Sequence, residues 1–154
     1  MNKSIDRESP DQWPLLARVR PDELPDFLRK NMDLLLTEPR PFADYMRVKF
    51  KEKGVLQQNV FLAADISENY GYKLIAEEKH TVNRDIILRV CMGAGFDLGE
   101  TQEALVLYGM APLHSRIPRD IVFMVAISNK LFDIHQVNDL LLKCRQTPMV
   151  KGAG

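Results

Sequence analysis

Residues 54–91 read GVLQQNVFLAADISENYGYKLIAEEKHTVNRDIILRVC, and the reading of this stretch decides the fold. Gln57 and Gln58 open a short helix whose Val60 and Ala64 face inward at four-residue spacing. Asp65 takes a turn position, since aspartate tolerates the left-handed backbone better than most residues. Ile66 plugs the angle between two helices. Ser67 caps the second helix, which runs to about Ala76, with Leu74 on its buried side. A longer loop follows, and then an apolar helix from about Arg84. No segment of the chain alternates apolar and polar residues for long between turn signals. The expected class is therefore all-α: two short helices about a tight turn at the centre, in a compact bundle of eight or so helices.

Upstream, residues 41–54 read PFADYMRVKFKEKG. Phe42, Tyr45, Met46 and Phe50 follow the i, i+3, i+4, i+8 spacing of an amphipathic helix. Pro41 suits its first position and Gly54 the position just past its end. Its other face is expected to expose Arg47, Lys49, Lys51 and Lys53. Residues 40–54 carry five basic residues against Asp44 and Glu52, a net of +3. Such a run is either a solvated helix face or a face turned to phosphates. Residues 1–39 carry eight acidic and six basic residues. Ser9-Pro10-Asp11-Gln12 resembles a helix start, with Trp13, Leu16 and Val19 as one short apolar face. A second helix is expected from about Pro25, with Phe27, Leu28, Met32, Leu35 and Leu36 on one side, stopped by Pro39 and Pro41.

Downstream lies an internal repeat. Residues 83–113 read NRDIILRVCMGAGFDLGETQEALVLYGMAPL, and residues 118–149 read PRDIVFMVAISNKLFDIHQVNDLLLKCRQTPM. With one extra residue in the second copy, Arg84, Asp85, Ile86 and Val90 match Arg119, Asp120, Ile121 and Val125. Phe96 and Asp97 match Phe132 and Asp133, Leu105 matches Leu141, and Pro112 matches Pro148. Asp97 with Glu100, and Asp133 with Gln136, have the spacing of a capping box that opens a second helix in each copy. Two helical hairpins in tandem are expected, packed on each other and on the upstream helices. The organisation is read as an N-terminal helical arm over 1–39, a central domain over 40–113 and a C-terminal hairpin over 114–150 that repeats 83–113. Residues 151–154 are expected to fray.

Composition narrows the function classes. Twenty-one basic residues balance twenty-one acidic ones across 154 residues, so net charge favours no polyanionic partner. No apolar run approaches the ~18 residues that cross a bilayer, and MNKSIDRESPD lacks the apolar core of a secretory signal. We expect a cytoplasmic protein that is not inserted in a membrane. Cys91 and Cys144 form no C-x-x-C and are expected as reduced thiols in or near the core. His80, His114 and His135 share no helical spacing with each other or with a cysteine, so no metal or other cofactor is expected. No nucleophile elbow, P-loop or dinucleotide fingerprint occurs, and the chain is not expected to be an enzyme.

Helix, tight turn, capped helix, loop and apolar helix together make a helix-turn-helix. From Phe42 to about Leu105 the chain resembles the Cro-type, XRE-like (lambda-repressor-like) helix-turn-helix domain. The matching residues are Gly54, Val55, Gln57, Val60, Ile66, Ser67, Leu74, Ile87-Leu88, Val90-Cys91, Phe96-Asp97-Leu98 and Glu100. Five positions depart from that pattern. Leu56 replaces a capping threonine, and Phe61 stands where a small residue lets two helices approach. Gly71 stands where a β-branched core residue is expected, Ile75 replaces a glutamate, and Glu77 replaces the glycine that closes the second helix.

The resemblance implies a transcriptional regulator that lays the 67–76 helix on double-stranded DNA. The expected DNA-binding residues are Gln57, Ser67, Glu68, Asn69, Tyr72, Lys73, Lys79 and Arg84. Residues 55–113 hold four basic and eight acidic residues, a net of −4, whereas non-specific DNA affinity comes mainly from lysine and arginine on phosphates. Two readings therefore stand side by side. In one, the chain is a DNA-binding regulator whose hairpins serve as a dimer or sensor surface. In the other, it is a protein–protein interaction adaptor that no longer binds DNA and holds a protein partner through the hairpins and Tyr70, Tyr72 and Tyr108.

Overall fold

The computed structural model describes residues 13–32 and 40–152, and among these every regular element is a helix. They are α1 (Trp13–Leu16), a 3₁₀ turn at Pro21–Glu23, α2 (Leu24–Lys30), α3 (Pro41–Lys53), α4 (Gln57–Ala64) and α5 (Glu68–Ile75). After a loop come α6 (Arg84–Gly93), α7 (Leu98–Leu107), α8 (Pro118–Ser128) and α9 (Ile134–Lys143). The chain is an all-α bundle. One hydrophobic core runs from Phe42 through to Met149 and takes in both hairpins.

α3 forms as its spacing dictates. Pro41 occupies the first turn, while Phe42, Tyr45, Met46 and Phe50 are buried together with Val48. Gly54 ends the helix in the left-handed region, at φ 65°, and the Val55 N–H donates to the Phe50 carbonyl at 3.0 Å.

The α4–α5 unit turns as its residue types require. Asp65 has φ 56°, and the Ile66 N–H closes on the Phe61 carbonyl at 3.1 Å. Ser67 Oγ accepts from the Tyr70 N–H at 3.2 Å and satisfies one of the orphan donors of α5. Leu56, at the start of α4, offers no such cap. Two of the unusual positions meet each other. Phe61 is fully buried, and a Cβ added at Gly71 would stand 2.5 Å from its Cγ. The large residue on α4 and the missing side chain on α5 are one exchange of volume between two facing positions. Glu77 adopts the left-handed backbone, at φ 60°, in the position where a glycine closes such a helix without a steric cost.

α6 is the axis of the molecule, with every residue from Asp85 to Met92 buried. It packs most extensively on α4, and the approach is close enough that a Cβ at Gly93 would stand 2.6 Å from the Val60 carbonyl oxygen. Arg89, in the middle of this apolar helix, donates to the Ala64 carbonyl at 3.2 Å and twice to the Val150 carbonyl. Burial draws its guanidinium below the ordinary value, and the carboxylates of Asp65 and Asp85 oppose that shift.

The two hairpins, α6–α7 and α8–α9, reproduce each other down to single hydrogen bonds. Arg84 pairs with Asp120, and Arg119 pairs bidentately with Asp85, at 2.8 and 2.9 Å. Arg84 also donates to the carbonyls of Ala111 and Pro112, and Arg119 to those of Thr147 and Pro148. The His114 N–H donates to Asp120 at 2.9 Å, and the Val150 N–H to Asp85 at 3.0 Å. Gln102 and Asn138 accept from the Leu113 and Met149 N–H groups, at 2.7 and 2.8 Å. The repeated Arg-Asp dipeptide is thus a reciprocal clasp between the copies, related by an approximate two-fold. Burial raises the Asp85 carboxyl. The bonds from Arg119 and the Val150 N–H, with the charges of Arg119 and Arg84, outweigh that and hold it below the usual carboxylate value.

Four expectations need correction. α1 buries nothing, and Trp13 and Leu16 are exposed because no core lies beside so short a helix. In α2 only Phe27 is buried, and Leu28 and Met32 are exposed; Leu35 and Leu36, like the start at Ser9–Gln12, lie outside the described residues. Cys91 is buried, but Cys144 is exposed, because it follows the last turn of α9. Of residues 151–154, expected to fray, 153 and 154 lie outside the described residues, and the part that is described packs on the body. Val150 is clasped between Asp85 and Arg89, and Gly152 lies so close to the Asp65 carbonyl that a Cβ there would overlap it.

Candidate nucleic-acid interface

The candidate surface is built by three helices. α5 exposes Glu68, Asn69 and Tyr72 along one side, with Lys73 half-buried beside them. Ser67 caps its open end. Gln57 is the first residue of α4, where backbone N–H groups have no helical partner and a phosphate is welcome. α3 contributes Arg47. Arg47, Gln57, Tyr72 and Lys73 line a surface groove of about 390 Å³ with Asp44 and Glu78, and Ser67, Glu68 and Asn69 lie outside its lining. Of the eight expected residues, Gln57, Tyr72 and Lys73 share this groove. Glu68 does not line the groove; desolvation, with the Glu68 carboxylate nearby, pushes the Tyr72 hydroxyl up.

Arg84 stands apart, because its guanidinium is held by Asp120 and by two backbone carbonyls of the hairpin. A phosphate would have to displace a buried carboxylate to reach it. Lys79 is exposed in the loop after α5 and does not line the groove.

The basic face expected on α3 is divided. Arg47 is exposed, 3.6 Å from Asp44. Lys49 and Lys53 turn instead to α7: Lys53 lies 2.7 Å from Glu100, and Lys49 lies 2.9 Å from Glu52 and 3.7 Å from Glu100. Their ammonium groups also sit over the rings of Tyr45 and Phe96. Glu100 is itself half of the capping box of α7. It accepts from the Asp97 N–H at 3.0 Å while Asp97 accepts from the Glu100 N–H at 2.8 Å. Burial raises the Glu100 carboxyl, but Lys53, the Asp97 N–H and Lys49 more than offset this and leave it below its ordinary value.

Arg40 is a further cation beside the groove. It donates to the Ala76 carbonyl at the end of α5, at 3.3 Å. The sequence signalled it only as one of five basic residues before Gly54. Arg89 ties the end of α4 to the C-terminal tail, and in the sequence it counted only among the four basic residues of 55–113.

Among the described residues, no group of three or more histidine, cysteine, aspartate or glutamate side chains is arranged to hold a metal ion. No helix among them is long and apolar enough to cross a membrane. Comparison of the chain with models of known protein families, with curated proteins and with solved structures gave no match.

Proposed function

We propose that the chain is a DNA-binding transcriptional regulator that uses α3–α5 as an XRE-like helix-turn-helix. One observation carries this reading. A helix N-terminus at Gln57, a cation from α3 at Arg47 and the exposed side of α5 at Tyr72 and Lys73 converge on one groove. That combination serves a duplex: Arg47, Lys73 and the open end of α4 for backbone phosphates, and the outer side of α5 for base edges. Asn69 has the donor and acceptor pair that suits adenine, and Glu68 accepts from a cytosine amino group.

The test is fluorescence polarisation with a random-sequence duplex pool. Binding is expected at low salt, with affinity falling steeply towards physiological salt. Lys73→Glu is expected to abolish it while the melting temperature holds. Absence of binding at low salt would sink the reading.

The second reading, a protein-binding adaptor, is favoured by the fate of the cations. Lys49 and Lys53 are drawn to Glu100, Arg84 is held by Asp120, and Glu68, Glu77 and Glu78 remain exposed around α5. It requires a stable co-purifying protein from native extract together with no polarisation signal at any salt.

A further inference from the structure

The chain turns three times by the same device. The Ile66, Phe96 and Leu131 N–H groups donate to the carbonyls of Phe61, Cys91 and Ala126, at 3.1, 2.9 and 2.8 Å. Each follows a residue in the left-handed region: Asp65, Gly95 and Lys130. The first of these turns joins α4 to α5, and a segment from far along the chain is laid across it. Gly152 packs so closely there that a Cβ would overlap the Asp65 carbonyl and press on the Ile66 side chain.

The second hairpin fastens this segment. Arg119 of α8 donates to the carbonyls of Thr147 and Pro148, at 3.0 and 3.1 Å. Asn138 of α9 accepts from the N–H of the buried Met149. Asp85, gripped by Arg119, accepts from the Val150 N–H at 3.0 Å. The Val150 carbonyl then accepts from Arg89, which also donates to the Ala64 carbonyl at the end of α4. An unbroken chain of hydrogen bonds thus runs from α8 to the helix-turn-helix.

The repeat shows that the last link is an addition. In the first copy the His114 carbonyl accepts from the Ile117 N–H, and the chain passes into α8. The matching carbonyl, that of Val150, takes Arg89 instead, and the residue that matches Arg89 in the second copy is Met124. A guanidinium in an apolar helix is costly to bury unless its donors are met. Arg89 is 3% exposed, and it directs its donors to two carbonyls 86 residues apart in sequence, Ala64 and Val150. We propose that residues 149–152 are a strap through which the second hairpin holds the α4–α5 turn, with Arg89 as its fastening. While Arg119 grips Asp85, the strap is seated and the turn is closed. Opening that clasp loosens the turn, and with it the placing of α5.

The test is hydrogen exchange of the full chain, followed at single amides by NMR. Gly152→Val is expected to speed exchange of the Ile66 N–H about tenfold, with the Phe96 and Leu131 N–H groups and the melting temperature unchanged. Arg89→Met, which installs the residue of the second copy, is expected to favour Ile66 over the other two turns in the same way. Arg119→Lys keeps a cation beside Asp85 but gives up the fork that also reaches Thr147 and Pro148. It is expected to speed Ile66 as well, although the hydrogen bonds of Arg119 end on Asp85 and the strap. Exchange at Ile66 that stays at the wild-type rate in Gly152→Val overturns the strap, as does equal acceleration in all three turns. An Arg119→Lys chain in which Ile66 keeps step with Phe96 and Leu131 overturns the link to the second hairpin. Exchange is read with no DNA present, so its outcome is separate from that of the polarisation assay.

Discussion

The hairpins α6–α7 and α8–α9 are written in one pattern and live in different surroundings. Their clasp is symmetric: each arginine holds the other copy's aspartate and the same two carbonyls near the end of its own copy. Their outer faces are not. Ile86 and Val90 are buried in the core, and Ile121 and Val125 are exposed. The repeat therefore encodes the joint between the copies. What lies on each copy's far side is set by neighbours that the repeat does not contain.

The largest expected effect tests the symmetric part. Arg84→Ala leaves Asp120 buried without its cation, and Arg119→Ala does the same to Asp85. Removing one partner of a buried pair costs about 3–5 kcal/mol, because the remaining charge stays desolvated. Chemical denaturation is expected to show losses of that size for both variants, within about 1 kcal/mol of each other. A difference of several kcal/mol would show that the two halves of the clasp are equivalent in geometry but not in energy.

A smaller effect tests the asymmetric part. Ile86→Ala opens a cavity in the core and is expected to cost about 2–5 kcal/mol. Ile121→Ala, measured where the chain is a single copy, removes an exposed side chain and is expected to stay within about 0.5 kcal/mol of wild type. Two substitutions identical in chemistry at matching positions would then differ by several-fold, and the difference would measure the burial that the first copy gains in the core. Equal costs would mean that α8 is covered in solution even in the single chain.

What was legible in the sequence was what local chemistry decides. The α4–α5 turn is fixed by Asp65 in the left-handed region and Ser67 at the cap, both within a few residues of the bonds they form. The hairpins were legible because the pattern occurs twice, and the capping box at Asp97 and Glu100 sits where its spacing places it. The illegible parts depend on distant partners. Spacing put Lys49 and Lys53 off the buried face of α3 but could not say that Glu100 lies opposite them. Arg84 reads as a free cation until Asp120, 36 residues on, takes it. Phe61 and Gly71 look like two separate departures from a family pattern and become one exchange of volume only when the helices are set against each other. Of the candidate interface, the sequence supplied the α5 side and Gln57. The contribution of Arg47 needed the fold to bring α3 to the same groove.

The smallest effect separates the copies by pH. The first residues of α7 and α9 are capped alike, through Asp97 and Asp133, but the third residue is Glu100 in one and Gln136 in the other. Of the two, only Glu100 can titrate, and it lies beside Lys53 and Lys49. Its folded pKa lies below its unfolded value, so its contribution is fully present above the unfolded value, about 4.3, and is lost as pH falls through the folded one. Glu100→Gln keeps a hydrogen-bonding side chain at the cap and removes the charge. It is expected to lower stability by less than about 1 kcal/mol at neutral pH, the range of partly exposed ion pairs. It is also expected to make the acid limb of the stability curve shallower below pH about 4.3, where the wild type loses this contribution. The remaining acid dependence would belong in part to Asp85, whose carboxyl is likewise held low and which the substitution leaves in place. Thermal melts from pH 3 to pH 7 check this. An unchanged acid limb would mean that Lys49 and Lys53 do not hold the α7 cap to α3 in solution, and the joint between the first hairpin and the candidate interface would then rest on apolar packing and on the Tyr45–Glu100 and Arg89–Ala64 hydrogen bonds.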